Sequence, residues 1–511
     1  MAAPSLREQR QEGRTVLTVN ALFAILLAVM GTAAVFAFRN SLDAIRYPFQ
    51  IDYGEGIVLW QTQHLNRLDT AYTPVTPEHV VVFHYPPLYH YAARLGARVT
   101  GDLLIAGRAV STAASLVVAF LVLGQLIYAA PEARNWTSIC TAGLAALLCY
   151  LSANQRLWSR VMRVDTLGVA FAFGGVFLFT LAWRYKNAIW LASVLFVLAA
   201  FTKQTLVAAP LACLLVALVL DRRKALQLVL ATGALASAAL LLLTDLTHGE
   251  FLKHTAFHNR SPFSLHPLLQ LWRANLTGKA AITALAVTFV AYLAATLWRQ
   301  SGSLQQDSSE ARFSLIAATW SVYFLLSFVM TLSAGKQGAA FNYFIEWNAV
   351  SAVMAGLAFL LLVKEIDLSR RSLALFLAMA FPIMCVGESA LAVKSALTWL
   401  PDASHPDWRA NEQIIDLVRQ TKGPVFSDAM LLVVKGGKAI EGEPAVMANL
   451  SGAGVWNQAG FVAKIRRGYF DRVITADLSE PIFFTPEIRK AIEETYSKPQ
   501  EIGPYQVFEK R

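Results

Sequence analysis

Long apolar runs recur along the whole chain and constrain its fold more than any other feature. A bilayer core is crossed by helices of about 17 to 25 mainly apolar residues, because nothing there can satisfy an open backbone. Runs of this kind lie at roughly 17–38, 104–128, 136–153, 164–183, 187–202, 205–220, 225–244, 279–298, 313–332, 341–363 and 372–396, eleven candidate spans. The runs 187–202 and 205–220 together exceed one helix, yet each is short for a span. Of the 511 residues, 56% are hydrophobic and 15% charged, whereas soluble domains carry about 25% charged residues. The expected fold class is a polytopic α-helical membrane protein with about eleven transmembrane helices.

Charge in the short connections sets an expected orientation. With a cytoplasmic N-terminus, the inner connections carry Arg134, Arg184 with Lys186, Arg222-Arg223-Lys224, Arg299 with Arg312, and Lys364 with Arg370-Arg371. Every inner loop is then basic, and an odd number of spans puts the C-terminal end outside. The net charge of +10 follows from this topology and implies no nucleic-acid partner. Cys140, Cys149, Cys213 and Cys385 all lie in apolar stretches, so neither a disulfide framework nor a cysteine metal site is indicated. The basic segment before the first run is followed by no small-residue cleavage site, which reads as an uncleaved first span.

Three larger regions fall outside the membrane in this reading. The first, 39–103, is rich in aromatics and proline; Phe83-His-Tyr-Pro-Pro-Leu-Tyr-His90 must be extended at its prolines, and an amphipathic surface helix follows from Leu88. The second, 245–278, holds His248, His254, His258 and His266, of which only His254 and His258 stand four apart; a substrate-covering or interfacial loop is favoured over a metal site. The third, 401–511, reads as a small soluble α/β domain after the transmembrane domain 1–400. Helices are expected at about 407–420, 457–467 and 485–496, and strands at 424–428, 472–476 and 505–508. No phosphate-binding glycine fingerprint occurs in it, and the sequence assigns it no chemistry.

Ionisable groups inside or beside apolar spans are costly and mark functional sites. Ile51-Asp-Tyr-Gly-Glu-Gly-Ile57 sets Asp52 and Glu55 just past the first span. Arg108, Arg163, Asp165, Lys203, Lys336 and Glu346 lie at the outer ends of their runs in this topology, and Glu388 lies within the last one. The outer connection 154–165 carries Arg156, Arg160 and Arg163, and the connection 201–205 carries Lys203. Cations on this disfavoured side suit an anionic partner such as a phosphate. Asn342-Tyr-Phe-Ile-Glu-Trp-Asn348 adds hydrogen-bonding and aromatic groups of the sort that cradle a sugar. A carboxylate can deprotonate an acceptor hydroxyl while cations stabilise a departing phosphate, so transfer from a phosphorylated donor fits this pocket.

The arrangement resembles the C-type membrane glycosyltransferases, in particular the polyprenyl-phosphate-sugar-dependent group that includes protein O-mannosyltransferases and lipid A aminoarabinose transferases. The resemblance rests on Asp52-Tyr-Gly-Glu55 opening a long first loop, Tyr85-Pro-Pro-Leu-Tyr89, Gly107-Arg108 and Arg163-Val-Asp165, and it covers about 1–220 well. It implies an inverting glycosyltransferase that moves a sugar from a polyprenyl-phosphate donor to a glycan, lipid or protein, at the outer face of a bacterial cytoplasmic membrane. Carried across, Asp52 is the expected general base with Glu55 as competitor, and Asp165 positions the acceptor or an arginine. Arg163, Lys203, Arg108 and Lys336 would hold the phosphate, and His84, Tyr85, Tyr343 and Glu346 would line the substrate site. No Asp-x-Asp motif occurs in the outer loops, so metal-independent chemistry with no cofactor is expected. A transporter or lipid flippase is the alternative, although it should show midplane charges and repeated halves. A non-catalytic assembly or sensor protein would tolerate loss of Asp52 and Glu55.

Overall fold

A computed structural model describes residues 6–130, 136–277, 279–299, 309–365, 383–395 and 405–511. Most of the chain is helical. Five described helical segments are long and apolar enough to cross a membrane: Ala21–Arg46, Leu103–Ala129, Arg222–Leu246, Ser309–Gly335 and Phe341–Leu361. Leu265–Thr277 and Ile282–Leu293 pass the same test only when taken together as one bent span. The runs at 136–153, 164–183, 187–202 and 205–220 form shorter helices, Trp136–Leu151, Asp165–Leu181, Ala188–Ala200 and Ala208–Leu220. The run 372–396 lies partly outside the described residues, with 383–395 helical.

Among the described residues, four of the eleven apolar runs therefore form helices of 13 to 17 residues. At 1.5 Å per residue a 13-residue helix covers about 20 Å of a core about 30 Å thick. The shortening has a local cause. Asp165 opens one of these helices, and the break at 201–207 that carries Lys203 separates two others. The helices stop short where polar chain must enter.

The helices pack around one core that includes Val118, Val122, Leu126, Phe173, Phe196, Trp320 and Leu357. Between lipid-embedded helices the gain comes from close packing rather than from water release. The expected surface helix is present as Leu88–Thr100; Tyr89, His90 and Ala93 are buried, whereas Tyr91, Leu95 and Val99 are exposed. It ends at Gly101, whose φ of +74° is a left-handed cap that favours glycine. Asp102 then accepts a hydrogen bond from the Ile105 amide at 2.9 Å and starts the next helix.

The C-terminal residues form a four-stranded mixed sheet. Strands β1 (Val425–Ser427), β2 (Arg472–Thr475), β3 (Gln500–Ile502) and β4 (Tyr505–Glu509) lie in the order β1-β2-β4-β3. β1 and β2 are parallel, with Phe426 opposite Val473, and β4 is antiparallel to both its neighbours. Helices Pro406–Gln420, Ala459–Arg466 and Pro486–Thr495 stand close to the expected positions. β3 and the helices Met430–Lys435 and Pro444–Gly452 were not expected from the sequence.

This unit shares its core with the first loop. Ile57, Val58, Leu59, Val81 and Tyr89 pack in one cluster with Ile414, Leu431, Val433 and Ile474. Val80 and Val82 join a second with Phe426, Phe461 and Val473. Backbone bonds cross as well: the Glu443 amide donates to the Val80 carbonyl at 3.0 Å. Arg467 holds Glu78 through both guanidinium nitrogens, at 3.1 and 2.6 Å.

Candidate active site

The acidic stretch after the first helix separates its two carboxylates. A turn at Asp52 leads into the short helix Gly54–His64, which buries Glu55 and leaves the Asp52 side chain 31% exposed. Glu55 meets Arg108 as a bidentate pair: Nε donates to Oε1 at 2.7 Å and Nη2 to Oε2 at 2.8 Å. Glu55 also accepts from the amides of Ile51 at 2.8 Å and Met162 at 2.8 Å. The remaining donors of Arg108 go to the carbonyls of Ala44, Tyr47 and Phe49. All five N–H groups of the guanidinium are thereby used, and neither side chain reaches solvent. Arg108 was expected to hold phosphate; it has no donor left to do so, and with Glu55 it fastens the first loop to the helix Leu103–Ala129.

Asp52 stands differently. Its Oδ2 accepts from the Gly54 amide at 2.9 Å and faces Arg163 Nη1 at 3.4 Å. A Cβ on Gly54 would fall 1.4 Å from that same Nη1, so the close approach requires glycine here. Gly56 serves the other side, where a Cβ would fall 2.3 Å from the Leu431 amide of the C-terminal unit. Burial raises the Asp52 pKa, and the Arg163 charge pulls it back only in part.

Two residues beyond Arg163, Asp165 opens the helix Asp165–Leu181, where the helix dipole favours a negative charge. Its Oδ1 accepts from Lys203 Nζ at 2.5 Å and from Asn342 Nδ2 at 3.0 Å. Lys203 lies over the Tyr343 ring, 5.0 Å from its centroid. Glu346 accepts from Tyr323 at 2.7 Å and lines the same cleft as Asp165, Lys203, Asn342 and Tyr343. Tyr85 is within electrostatic reach of Arg163, Asp165, Lys203 and Tyr343. The site is thus a row of alternating charges, Asp52, Arg163, Asp165 and Lys203, bordered by Tyr85 and Tyr343.

Among the described residues, His84, Lys336 and His254 make no ion pair with the row, although His84 lies within electrostatic reach of Arg163. His84 presents its carbonyl to Gln204 at 2.7 Å, and burial lowers its imidazole pKa to about 3, which leaves the ring neutral. Among the described residues, no ion pair or hydrogen bond joins the Lys336 side chain to the row; its backbone bridges Phe263. His254 of the histidine-bearing loop accepts from the Phe83 amide at 3.0 Å and bonds the Thr73 carbonyl at 2.8 Å, so it ties that loop to the first one. Among the described residues no group of three or more potential metal ligands is assembled.

Other contributors hold contacts that were not assigned to them from the sequence. Asn342 fixes the Asp165 carboxylate. Tyr53 accepts from the Ala445 amide at 3.1 Å and stacks on Phe483 at 4.6 Å, which joins the acidic turn to the C-terminal unit. Glu443 is buried within electrostatic reach of Arg163 and Tyr53, in a unit to which no chemistry was assigned from the sequence. No charge pattern or spacing around it distinguishes it from a surface acid.

No protein-family model and no curated protein matches the sequence. Similarity appears in solved structures. ArnT from Cupriavidus metallidurans bound to undecaprenyl phosphate superposes with a TM-score of 0.57 at 13% identity, over 95% of this chain and 98% of that one. The oligosaccharyltransferase AglB from Archaeoglobus fulgidus, in complex with an inhibitory peptide and a dolichol-phosphate, gives 0.55 at 11% identity, over 95% and 74%. At such identities the likeness establishes architecture: this multi-pass chain has the fold of the C-type membrane glycosyltransferases that its sequence motifs resemble.

Proposed function

We propose that the protein is an inverting glycosyltransferase that uses a polyprenyl-phosphate-linked sugar. The observation that carries this reading is Asp52, a partly open carboxylate beside the Arg163 cation, with Lys203 next in the row. In the proposed reaction Asp52 takes the proton of an acceptor hydroxyl. The acceptor oxygen bonds to the anomeric carbon from the face opposite the phosphate. The bond from that carbon to the phosphate oxygen breaks, and the electron pair leaves with the lipid phosphate. Arg163 and Lys203 stabilise the charge that develops there. Asp165 keeps Lys203 in place, and Tyr85, Tyr343 and Glu346 line the substrate cleft.

The shared fold supports a lipid-borne donor, because the related structures hold undecaprenyl phosphate and dolichol-phosphate. The basic short loops support a cytoplasmic N-terminus, with the site and the C-terminal unit at the outer face of a bacterial cytoplasmic membrane. The lack of an Asp-x-Asp motif in these loops favours a metal-independent reaction, for which a chelator should leave the rate unchanged. The test is transfer of radiolabelled sugar from membrane-incorporated polyprenyl-phosphate donors by native protein and by Asp52→Asn. Loss of transfer in well-folded Asp52→Asn is expected. Movement of labelled lipid or solute across the bilayer with no donor consumed would replace this reading with a transporter.

A further inference from the structure

Among the described residues, the Glu443 carboxyl forms no ion pair, and one of its oxygens is buried without a hydrogen-bond partner. It comes from the C-terminal unit, at the start of the helix Pro444–Gly452, and is buried at the seam with the first loop. Its backbone amide is bonded to Val80, so the residue is held in place by the main chain. The unpartnered oxygen, among the described residues, is Oε2. The charged and titratable groups within its electrostatic reach are Arg163 and Tyr53. Two more buried polar atoms along the row are also unmatched, Arg163 Nε and Asp165 Oδ2. Buried polar atoms are normally satisfied, and leaving one unpaired costs about 1–3 kcal/mol. Unpaired groups of both polarities from two parts of the chain around one arginine describe a place for a ligand that both donates and accepts.

We propose that this seam is a hydroxyl-binding subsite, in which Glu443 and Arg163 Nε hold hydroxyl groups of a sugar ring beside Asp52. The inference rests on the transferase reading and gives the C-terminal unit a part in substrate contact. The occupant is either the sugar being transferred or a glycan acceptor, since both present the same hydroxyl chemistry. Burial raises the Glu443 pKa to about 8, against which the Arg163 charge acts, so at neutral pH the carboxyl can donate as well as accept.

The experiment uses full-length protein in lipid nanodiscs, as native, Glu443→Gln and Glu443→Ala. Two readouts are taken with a panel of undecaprenyl-phosphate-linked sugars: turnover, with water or a membrane glycan extract as acceptor, and the infrared carboxyl band lost in Glu443→Gln. We expect Glu443→Ala to lower kcat/KM about tenfold, whereas Glu443→Gln stays near native at pH 7 and lacks the native decline above pH 8. A band shift with sugar-loaded lipid but not with undecaprenyl phosphate places the transferred sugar in the subsite. A loss confined to glycan-dependent transfer places the acceptor there. Native turnover with Glu443→Ala unimpaired under both acceptors and no band shift overturns the subsite and leaves the transferase standing. No turnover and no band shift overturns both, and a band shift without turnover keeps the subsite while removing the transferase.

Discussion

Glu55 and Arg108 share two hydrogen bonds, at 2.7 and 2.8 Å, with neither side chain exposed to solvent. The pair is complete in itself and holds three backbone carbonyls besides, those of Ala44, Tyr47 and Phe49. Removing one partner strands the other charge in a dry setting, at a cost of about 3–5 kcal/mol. Glu55→Gln is therefore expected to lower the thermal unfolding midpoint and the yield of extracted protein. Full stability with selective loss of turnover would return Glu55 to the catalytic role.

Asp52→Asn should behave in the opposite way. Its carboxylate carries only one ion pair and one amide contact, so the fold should persist, while loss of a general base lowers the rate by about 10²–10⁴-fold. The raised pKa also sets a sign: the base works only when ionised, so native kcat/KM should climb with pH through a point above the ordinary carboxylate range. Measured pH profiles should show that limb in the native protein and not in the residual activity of Asp52→Asn.

Gly54→Ala tests the closeness of Arg163. The added methyl would meet Nη1 at 1.4 Å, and a guanidinium on a flexible stem can swing away, which breaks its pairing with Asp52. Turnover should fall at least tenfold, with an unfolding midpoint within a few degrees of native.

Gly56→Ala meets backbone instead, 2.3 Å from the Leu431 amide, and backbone has little room to give. The C-terminal unit should loosen from the first loop. Limited proteolysis within 405–511 should become faster in this variant than in Gly54→Ala.

Glu443 gives the stability profile a slope. Its carboxyl titrates near 4.5 when unfolded and near 8 when folded, so between these values the folded chain holds the extra proton. Its contribution to stability is full below about pH 4.5 and is lost as pH rises toward 8. Glu443→Gln should flatten this decline in unfolding scans between pH 5 and 8.

The row Asp52, Arg163, Asp165 and Lys203 was legible because charges beside long apolar runs are expensive and conspicuous. The burial of Glu55 beside a partly open Asp52 was not, since it depends on Arg108, 53 residues further along from Glu55. Hydropathy located the short helices around Asp165 and Lys203 closely, because their apolar runs end where the polar breaks begin. The sheet strands β1, β2 and β4 announced themselves by β-branched and aromatic residues, whereas the three-residue β3 is nearly all polar. Glu443 was silent because an acid in an ordinary α/β segment looks the same on a surface as in a seam.

The shared core of the first loop and the C-terminal unit fixes an order of events during synthesis. Tyr53 waits for an amide 392 residues downstream, and Gln50 for one 381 residues away. At about 5–20 residues per second, the ribosome needs roughly 20 to 80 s to deliver that stretch. Through that interval Ile57, Val58 and Leu59 lack half of their packing partners while the intervening helices enter the membrane. A chain without residues 414–511 would carry Asp52 on an unfinished, apolar loop, open to proteases. The packing of the first loop thereby depends on a unit made hundreds of residues later.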